Sequence, residues 1–201
     1  MKRFLTIIVA ALLAFVSGES FAQTSTDYNL QKAYEVLREK EDYDKALDFV
    51  NKQLKDTPDN VPALLLRTRI SIQQESFRQA LTDVNRAIKV NKPKKSEIQN
   101  STLHWWKAYV YQDIFDYEKA AESFKTAYQL AKKDNPENIH SIGFDYTQAL
   151  YYMDKLDEAD AVYRELIAFD ETDSGSMVGL ARSMVDRGSA TYRQWRLNRW
   201  Y

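Results

Sequence analysis

The residues best suited to binding or chemistry are concentrated at positions 104–112, which read HWWKAYVYQ. This stretch holds two adjacent tryptophans, two tyrosines and one of the two histidines of the chain. Tyrosine and tryptophan bury a large apolar area and still offer a hydrogen-bond donor at one end, so they are common both in cores and at interfaces. The composition alone therefore leaves two interpretations open, a binding surface or a part of the core.

The chain lacks the residue patterns that are typical of enzymes. It has no cysteine and no GxSxG motif, and its two histidines, His104 and His140, are not spaced as metal ligands. The five glycines are scattered, so the sequence has no glycine-rich loop that could cradle a phosphate. We therefore predict a protein that is not an enzyme and that uses no metal and no cofactor.

The charge balance argues against nucleic-acid binding. The chain has 28 basic and 29 acidic residues and a formal net charge of -1, which gives no general attraction to nucleic acids or to anionic membranes. The arginines of the segment RQWRLNRWY could contact RNA or a membrane, but we interpret them as the solvated arginines of a capping helix. We predict no nucleic-acid partner.

Residues 1–22 have the pattern of a secretory signal peptide. Lys2 and Arg3 precede the thirteen-residue, largely apolar stretch FLTIIVAALLAFV, and SGESFA then leads to an expected cleavage after Ala22. The alternative is a retained N-terminal anchor. We expect an exported protein, periplasmic or extracellular, with a short linker at residues 23–26 and no membrane span in the mature chain.

Four segments of the sequence repeat one pattern. In each, an aromatic residue or leucine stands three residues before an alanine, and a large apolar residue follows that alanine four residues later. This spacing is helical and predicts one apolar stripe per segment. The segments are YDKALDFVNKQL, FRQALTDVNRAI, YEKAAESFKTAY and LDEADAVYRELI, and their alanines are Ala46, Ala80, Ala120 and Ala159.

A second helical pattern precedes each of these segments and recurs once after the last one, at steps of 34, 40, 39 and 34 residues, so the unit is a pair of helices. This unit, with a small alanine where its helices cross, resembles the tetratricopeptide repeat, and Pro58 matches the proline that usually ends the second helix. The usual glycine and tryptophan of the first helix are replaced. For example, Gly143 stands at one tryptophan position.

The resemblance implies an all-α fold, a right-handed α-solenoid of antiparallel helix pairs. We expect four units at 27–60, 61–94, 101–134 and 140–173. We interpret residues 174–201 as a partial fifth unit, in which Met177, Leu180, Ala181 and Met184 keep the phase of a first helix, followed by a capping helix at 191–201.

In such a solenoid the first helices line a concave groove, where the family binds its partners. The carboxylate clamp of chaperone-docking members is absent, since residues such as Glu35, Leu66 and Trp106 occupy its places. We expect Trp105 in the core. The repeat phase predicts six groove residues that would bind an unidentified protein or peptide: Arg69, Trp106, Tyr109, Phe144, Tyr151 and Arg182.

These expectations lead to one hypothesis and two alternatives. The hypothesis is a non-catalytic module that binds a protein or peptide and acts as an adaptor or scaffold in the cell envelope. The first alternative is a structural subunit that associates with itself into a homo-oligomer. The second is the N-terminal repeat part of a longer chain whose following domain is missing.

Overall fold

The computed structural model describes residues 28–92 and 98–188. Our predictions for the signal peptide at 1–22, the linker at 23–26 and the capping helix at 191–201 lie outside these residues. Within them the chain forms α-helices, one short 3-10 helix at Pro136–Asn138 and no strand, so the predicted all-α fold is confirmed. The helices are α1 (Tyr28–Lys40), α2 (Tyr43–Asp56), α3 (Val61–Gln73), α4 (Phe77–Val90), α5 (Asn100–Asp113), α6 (Tyr117–Asp134), α7 (Ile139–Tyr152), α8 (Leu156–Phe169) and α9 (Ser174–Gly188).

The chain divides into two compact units, residues 1–63 and residues 64–201. In the first unit α1 packs against α2. In the second unit each helix from α4 to α9 packs against the next one along the chain. Neighbours in sequence are thus neighbours in space, which is the packing of a helical repeat.

Two second helices begin with the same local signal. Asp42 caps α2 by accepting a hydrogen bond from the backbone N–H of Lys45 at 3.0 Å. Asp116 caps α6 in the same way and accepts from the backbone N–H of Lys119 at 3.2 Å. An aspartate at this position satisfies a backbone donor that the helix leaves unpaired, and is worth about 1 kcal/mol.

Each helix pair is joined by a turn with one residue in the left-handed conformation. These residues are Glu41, Glu75, Phe115 and Asp154, with φ of 49°, 56°, 62° and 60°. In the last three turns the next residue donates its backbone N–H to a carbonyl five residues earlier, as Asp116 does to Tyr111 at 2.9 Å. This pairing ends a helix and reverses the chain, so it sets the angle at which the second helix returns.

The four repeat alanines have no exposed surface. They lie one per helix on α2, α4, α6 and α8, at the places where these helices meet their neighbours. Gly143 serves a similar purpose on α7, because a Cβ there would come within 2.8 Å of the Leu166 side chain on α8. The small residue lets α7 approach α8 where the family usually places a tryptophan.

The residues that α9 buries differ from those that the repeat pattern predicts. Met177, Ala181 and Met184 are exposed, whereas Ser176 and Ser183 are buried. No second helix that could cover these methionines follows α9 within the described residues. The residues of α9 that occupy first-helix positions in the repeat pattern are therefore not the residues that α9 buries.

Candidate functional site

The six predicted groove residues fall into two groups in the structure. Arg69, Trp106 and Tyr109 lie around α5, and we name them the Trp106 cluster. Phe144, Tyr151 and Arg182 line one cavity formed by α7, α8 and α9, which we name the C-terminal pocket. Both groups belong to the second compact unit.

Trp106 is a half-buried residue that serves the scaffold as well as the surface. Its ring packs against the buried cluster of Ile72, Ala80 and Val110. The guanidinium carbon of Arg69 lies 5.1 Å from the centre of the Trp106 ring, a cation–π distance. Much of the tryptophan is thus already covered by the protein itself.

Tyr109 is tied into the structure by its hydroxyl. It donates a short hydrogen bond to Oδ2 of Asp145 on α7, and the indole Nε1 of Trp105 donates to the same oxygen at 2.7 Å. The edge of the Phe124 ring meets the Tyr109 ring with centroids 5.5 Å apart. The proton of the Tyr109 hydroxyl is therefore already used in a contact within the protein.

This three-residue contact, which we name the Asp145 tie, joins the first helices of two neighbouring repeats. Trp105 is buried, so the expectation that it belongs to the core is confirmed. Burial raises the pKa of Asp145, although the two donated hydrogen bonds oppose that shift. Burial, and then the nearby Asp145 carboxylate, raise the pKa of Tyr109 well above its usual value. Tyr109 therefore acts as a neutral donor.

The C-terminal pocket has a volume of about 410 Å³. Its walls are largely apolar, and two of its apolar side chains are open to solvent: Phe144 is 44% exposed and Val178 is 60% exposed. Polar atoms are few, and Gln148 lies within 3.5 Å of the Tyr163 hydroxyl. A concave apolar surface with a small number of polar groups is the usual form of a binding site.

Two glycines on α9 shape this pocket. Gly175 and Gly179 are one helical turn apart and both line it. A Cβ on Gly179 would lie 2.4 Å from the Tyr163 ring, so only glycine lets that ring lie against α9. The tyrosine ring and the bare helix surface together form one wall.

Helix α9 is held in position by Asp173. Its carboxylate accepts from the backbone N–H of Ser176 at 3.1 Å and from the Ser176 hydroxyl, and lies 2.7 Å from Nδ1 of His140 on α7. Serine, aspartate and histidine are thus together, but the carboxylate stands between the other two. The histidine does not contact the serine hydroxyl in this arrangement, so the order needed to activate a nucleophile is missing.

Arg182 is the charged residue among those described in the pocket lining. Its side chain is exposed, and no acidic side chain in the described part of the chain forms an ion pair with it. The pocket therefore combines aromatic walls with one available positive charge.

The ion pair between Arg67 and Asp83 was not predicted from the sequence. Arg67 donates from Nε and Nη2 to the two carboxylate oxygens of Asp83, each at 2.7 Å, and Gln79 donates to the same carboxylate at 3.0 Å. Asp83 is buried. The paired, hydrogen-bonded geometry satisfies the buried charge and fastens α3 to α4, so its role is structural.

No group of three or more histidine and acidic side chains in residues 28–92 and 98–188 is arranged to hold a metal ion. No helix in the same part of the chain is both long enough and apolar enough to cross a membrane.

The amino-acid sequence is similar to a known repeat family and to two known proteins. The model of the tetratricopeptide repeat matches residues 101–134, which contain α5 and α6. The human signal recognition particle subunit SRP72 is 32% identical over 132 residues, which is 66% of this chain, and the dog protein matches equally. The chain spans only 17% of the length of these relatives.

Two solved structures share the fold. The structure of MamA superposes with a TM-score of 0.63 at 16% identity, covering 78% of this chain and 84% of the other. The structure of YrrB, described as a TPR protein with an unusual peptide-binding site, gives 0.59 at 17% identity and covers 79% and 76%. The chain therefore contains a match to the tetratricopeptide repeat at residues 101–134, and it shares the all-α helical-repeat fold of these structures.

Proposed function

We propose that this protein is a non-catalytic adaptor or scaffold that binds a polypeptide, and that the C-terminal pocket is its binding site. One observation carries the proposal: Phe144 and Val178 stay exposed beside a cavity that also presents the exposed Arg182. Exposed apolar side chains around a concave surface mark a place that a partner covers.

The comparisons support the class of function. The repeat fold is suited to binding proteins, because its stacked helices present extended surfaces. YrrB is described as having a peptide-binding site, and the curated relatives are subunits of a larger particle. These statements describe those proteins, and they make a polypeptide the first class of partner to test here.

Absence of catalysis is part of the proposal. The only constellation of serine, aspartate and histidine that we find in the described residues is used to cap α9 and to join it to α7. A structural role satisfies all three side chains. A substrate-turnover screen on the purified chain should give no activity above background, and a reproducible turnover abolished by His140→Ala would contradict the proposal.

Export to the cell envelope is a further part of the proposal, supported by the pattern of residues 1–22. Mass spectrometry of the protein recovered from the envelope fraction of its native cells should find a chain that begins at Gln23. Recovery of a chain that begins at Met1 from the soluble cell interior would contradict this location.

Binding is tested by selecting peptides against the full chain from a random library displayed on phage. Selected peptides should bind the wild-type chain and lose about tenfold or more in affinity with Phe144→Ser, measured by fluorescence anisotropy. Phe169→Ser is a matched control, because Phe169 is also a solvent-exposed phenylalanine, at 57%, and does not line the pocket.

Two outcomes would contradict the proposed binding site. One is a selection that enriches no peptide over background. The other is a set of selected peptides whose affinity falls equally with Phe144→Ser and with Phe169→Ser, since this would show that the pocket is not where they bind.

A further inference from the structure

We infer that the C-terminal pocket takes an acidic peptide segment, in which an aspartate or glutamate side chain near an apolar anchor pairs with Arg182. This inference deepens the proposed function and rests on it.

The charges in the lining of the pocket favour an acidic ligand. Among the described residues that line it, Arg182 is charged and none is acidic. A guanidinium offers donors in a planar fork that matches a carboxylate, and partly covering this group from water without an anion would be unfavourable. A ligand that covers the pocket therefore gains most if it brings a carboxylate.

The exposed apolar side chains around the pocket favour a ligand with an apolar residue near the acidic one. Phe144 on α7 and Val178 on α9 stand exposed around the same cavity as Arg182. Arg182 lies four residues beyond Val178, which places both on one face of α9 one turn apart. A segment with an apolar side chain in the pocket would thus hold its neighbouring residues near the guanidinium.

The rim also favours a side chain over a C-terminal carboxylate as the source of the anion. The apolar surface does not stop at Arg182, since Val185 continues the exposed apolar residues of α9 beyond it. A ligand chain that runs along this surface passes Arg182 and does not end there. We therefore commit to an internal acidic residue.

The last residues of this chain do not supply that anion with their side chains. Residues 189–201, SATYRQWRLNRWY, contain three arginines and no aspartate or glutamate. Like charges would repel Arg182 rather than pair with it. The occupant that we infer is a negatively charged segment of a partner polypeptide.

The probe is the same random peptide library, selected in parallel against the full wild-type chain, Arg182→Gln and Arg182→Glu. Arg182 is exposed, so all three chains should melt at the same temperature within error. The wild-type selection should enrich aspartate and glutamate about threefold or more within two or three positions of an apolar residue. Arg182→Gln should remove this enrichment, and Arg182→Glu should shift it to lysine and arginine.

Individual peptides then test the source of the carboxylate. An acidic peptide from the selection should bind about five- to tenfold more weakly when its acidic residue is changed to the matching amide, because a charge-assisted hydrogen bond is lost. The same peptide should bind equally well with a free or an amidated C-terminus. A requirement for the free C-terminus would overturn the inference.

The other outcomes separate this inference from the proposed function. Peptides that need Phe144 but show no acidic enrichment would overturn the inference and leave the binding function in place. Acidic enrichment that persists with Arg182→Gln would also overturn it. A selection with no binder at all removes both. If the chain instead forms a dimer that Arg182→Gln dissociates in light scattering, the occupant is a second copy and the peptide inference is wrong.

Discussion

The Asp145 tie should be a main source of stability in the second unit. Asp145→Ala removes the one oxygen that accepts from both the Trp105 indole and the Tyr109 hydroxyl. Each buried donor that loses its partner costs about 1–3 kcal/mol, so we expect Asp145→Ala to lower the free energy of unfolding by about 3 kcal/mol. For a unit of this size that corresponds to a fall in melting temperature of about 6–12 °C.

The assay is chemical and thermal unfolding followed by tryptophan fluorescence, with Asp145→Asn as the matched control. Asparagine keeps an acceptor oxygen and removes the charge, so Asp145→Asn should recover most of the lost stability. Burial raises the pKa of Asp145 in the folded state, so its contribution to stability should fall as pH rises from about 4 through that raised pKa. Asp145→Asn should lose this slope. An Asp145→Ala variant within about 0.5 kcal/mol of wild type would refute the reasoning.

Three further predictions concern single residues elsewhere in the second unit. Trp106→Ala should lower the free energy of unfolding by about 2–3 kcal/mol in urea titrations, because the partly buried ring packs against the core cluster of Ile72, Ala80 and Val110; no loss would contradict its role in the scaffold. Burial raises the pKa of Asp113 to about 6, so its contribution to stability falls as pH rises from about 4 to 6. Asp113→Asn should therefore stabilise the fold by about 1–2 kcal/mol at pH 7.5, allowing for partial screening, with no gain near pH 4; an equal gain at both pH values would count against this. Phe115→Gly should raise stability by about 0.5 kcal/mol, since Phe115 is 75% exposed with φ of 62°, and a loss above about 1 kcal/mol would show that its ring contact with Tyr117 matters more than the strain.

The repeat was predictable because its signal is periodic. Ala46 and its three counterparts report where helices cross, and that spacing recurs whatever the neighbouring residues are. The burial of Trp105 followed from the same phase. Such positions are set by local helix geometry, which the sequence expresses directly.

The Asp145 tie was not predictable from the sequence. Its donors lie 36 and 40 residues before the carboxylate, and no periodic pattern indicates which polar side chains meet across two helices. Tyr109 was placed on the groove by phase alone, and the structure shows its hydroxyl held by α7. The aromatic stretch at 104–112 thus contributes mainly contacts within the protein.

The C-terminal pocket was predictable in part. The spacing of the repeats predicted that Phe144, Tyr151 and Arg182 lie on the concave face. The structure places all three in the lining of one cavity. The contribution of Tyr163 was not predicted, because Tyr163 lies on a second helix and the repeat pattern places the groove on the first helices. The spacing of Gly175 and Gly179 was a usable signal, since two glycines one turn apart leave part of a helix surface bare.

The most direct test of the account is photo-crosslinking from a benzoylphenylalanine placed at position 144 or, as a control, at position 169 of the full chain. Mass spectrometry should find polypeptides cross-linked to position 144. An acidic peptide from the selection, added as a competitor, should reduce the yield of these cross-links at least fivefold. Position 169 should give few adducts and no such competition. Equal adducts at both positions, or adducts at 144 that the peptide does not reduce, would contradict the claim that the C-terminal pocket binds a polypeptide.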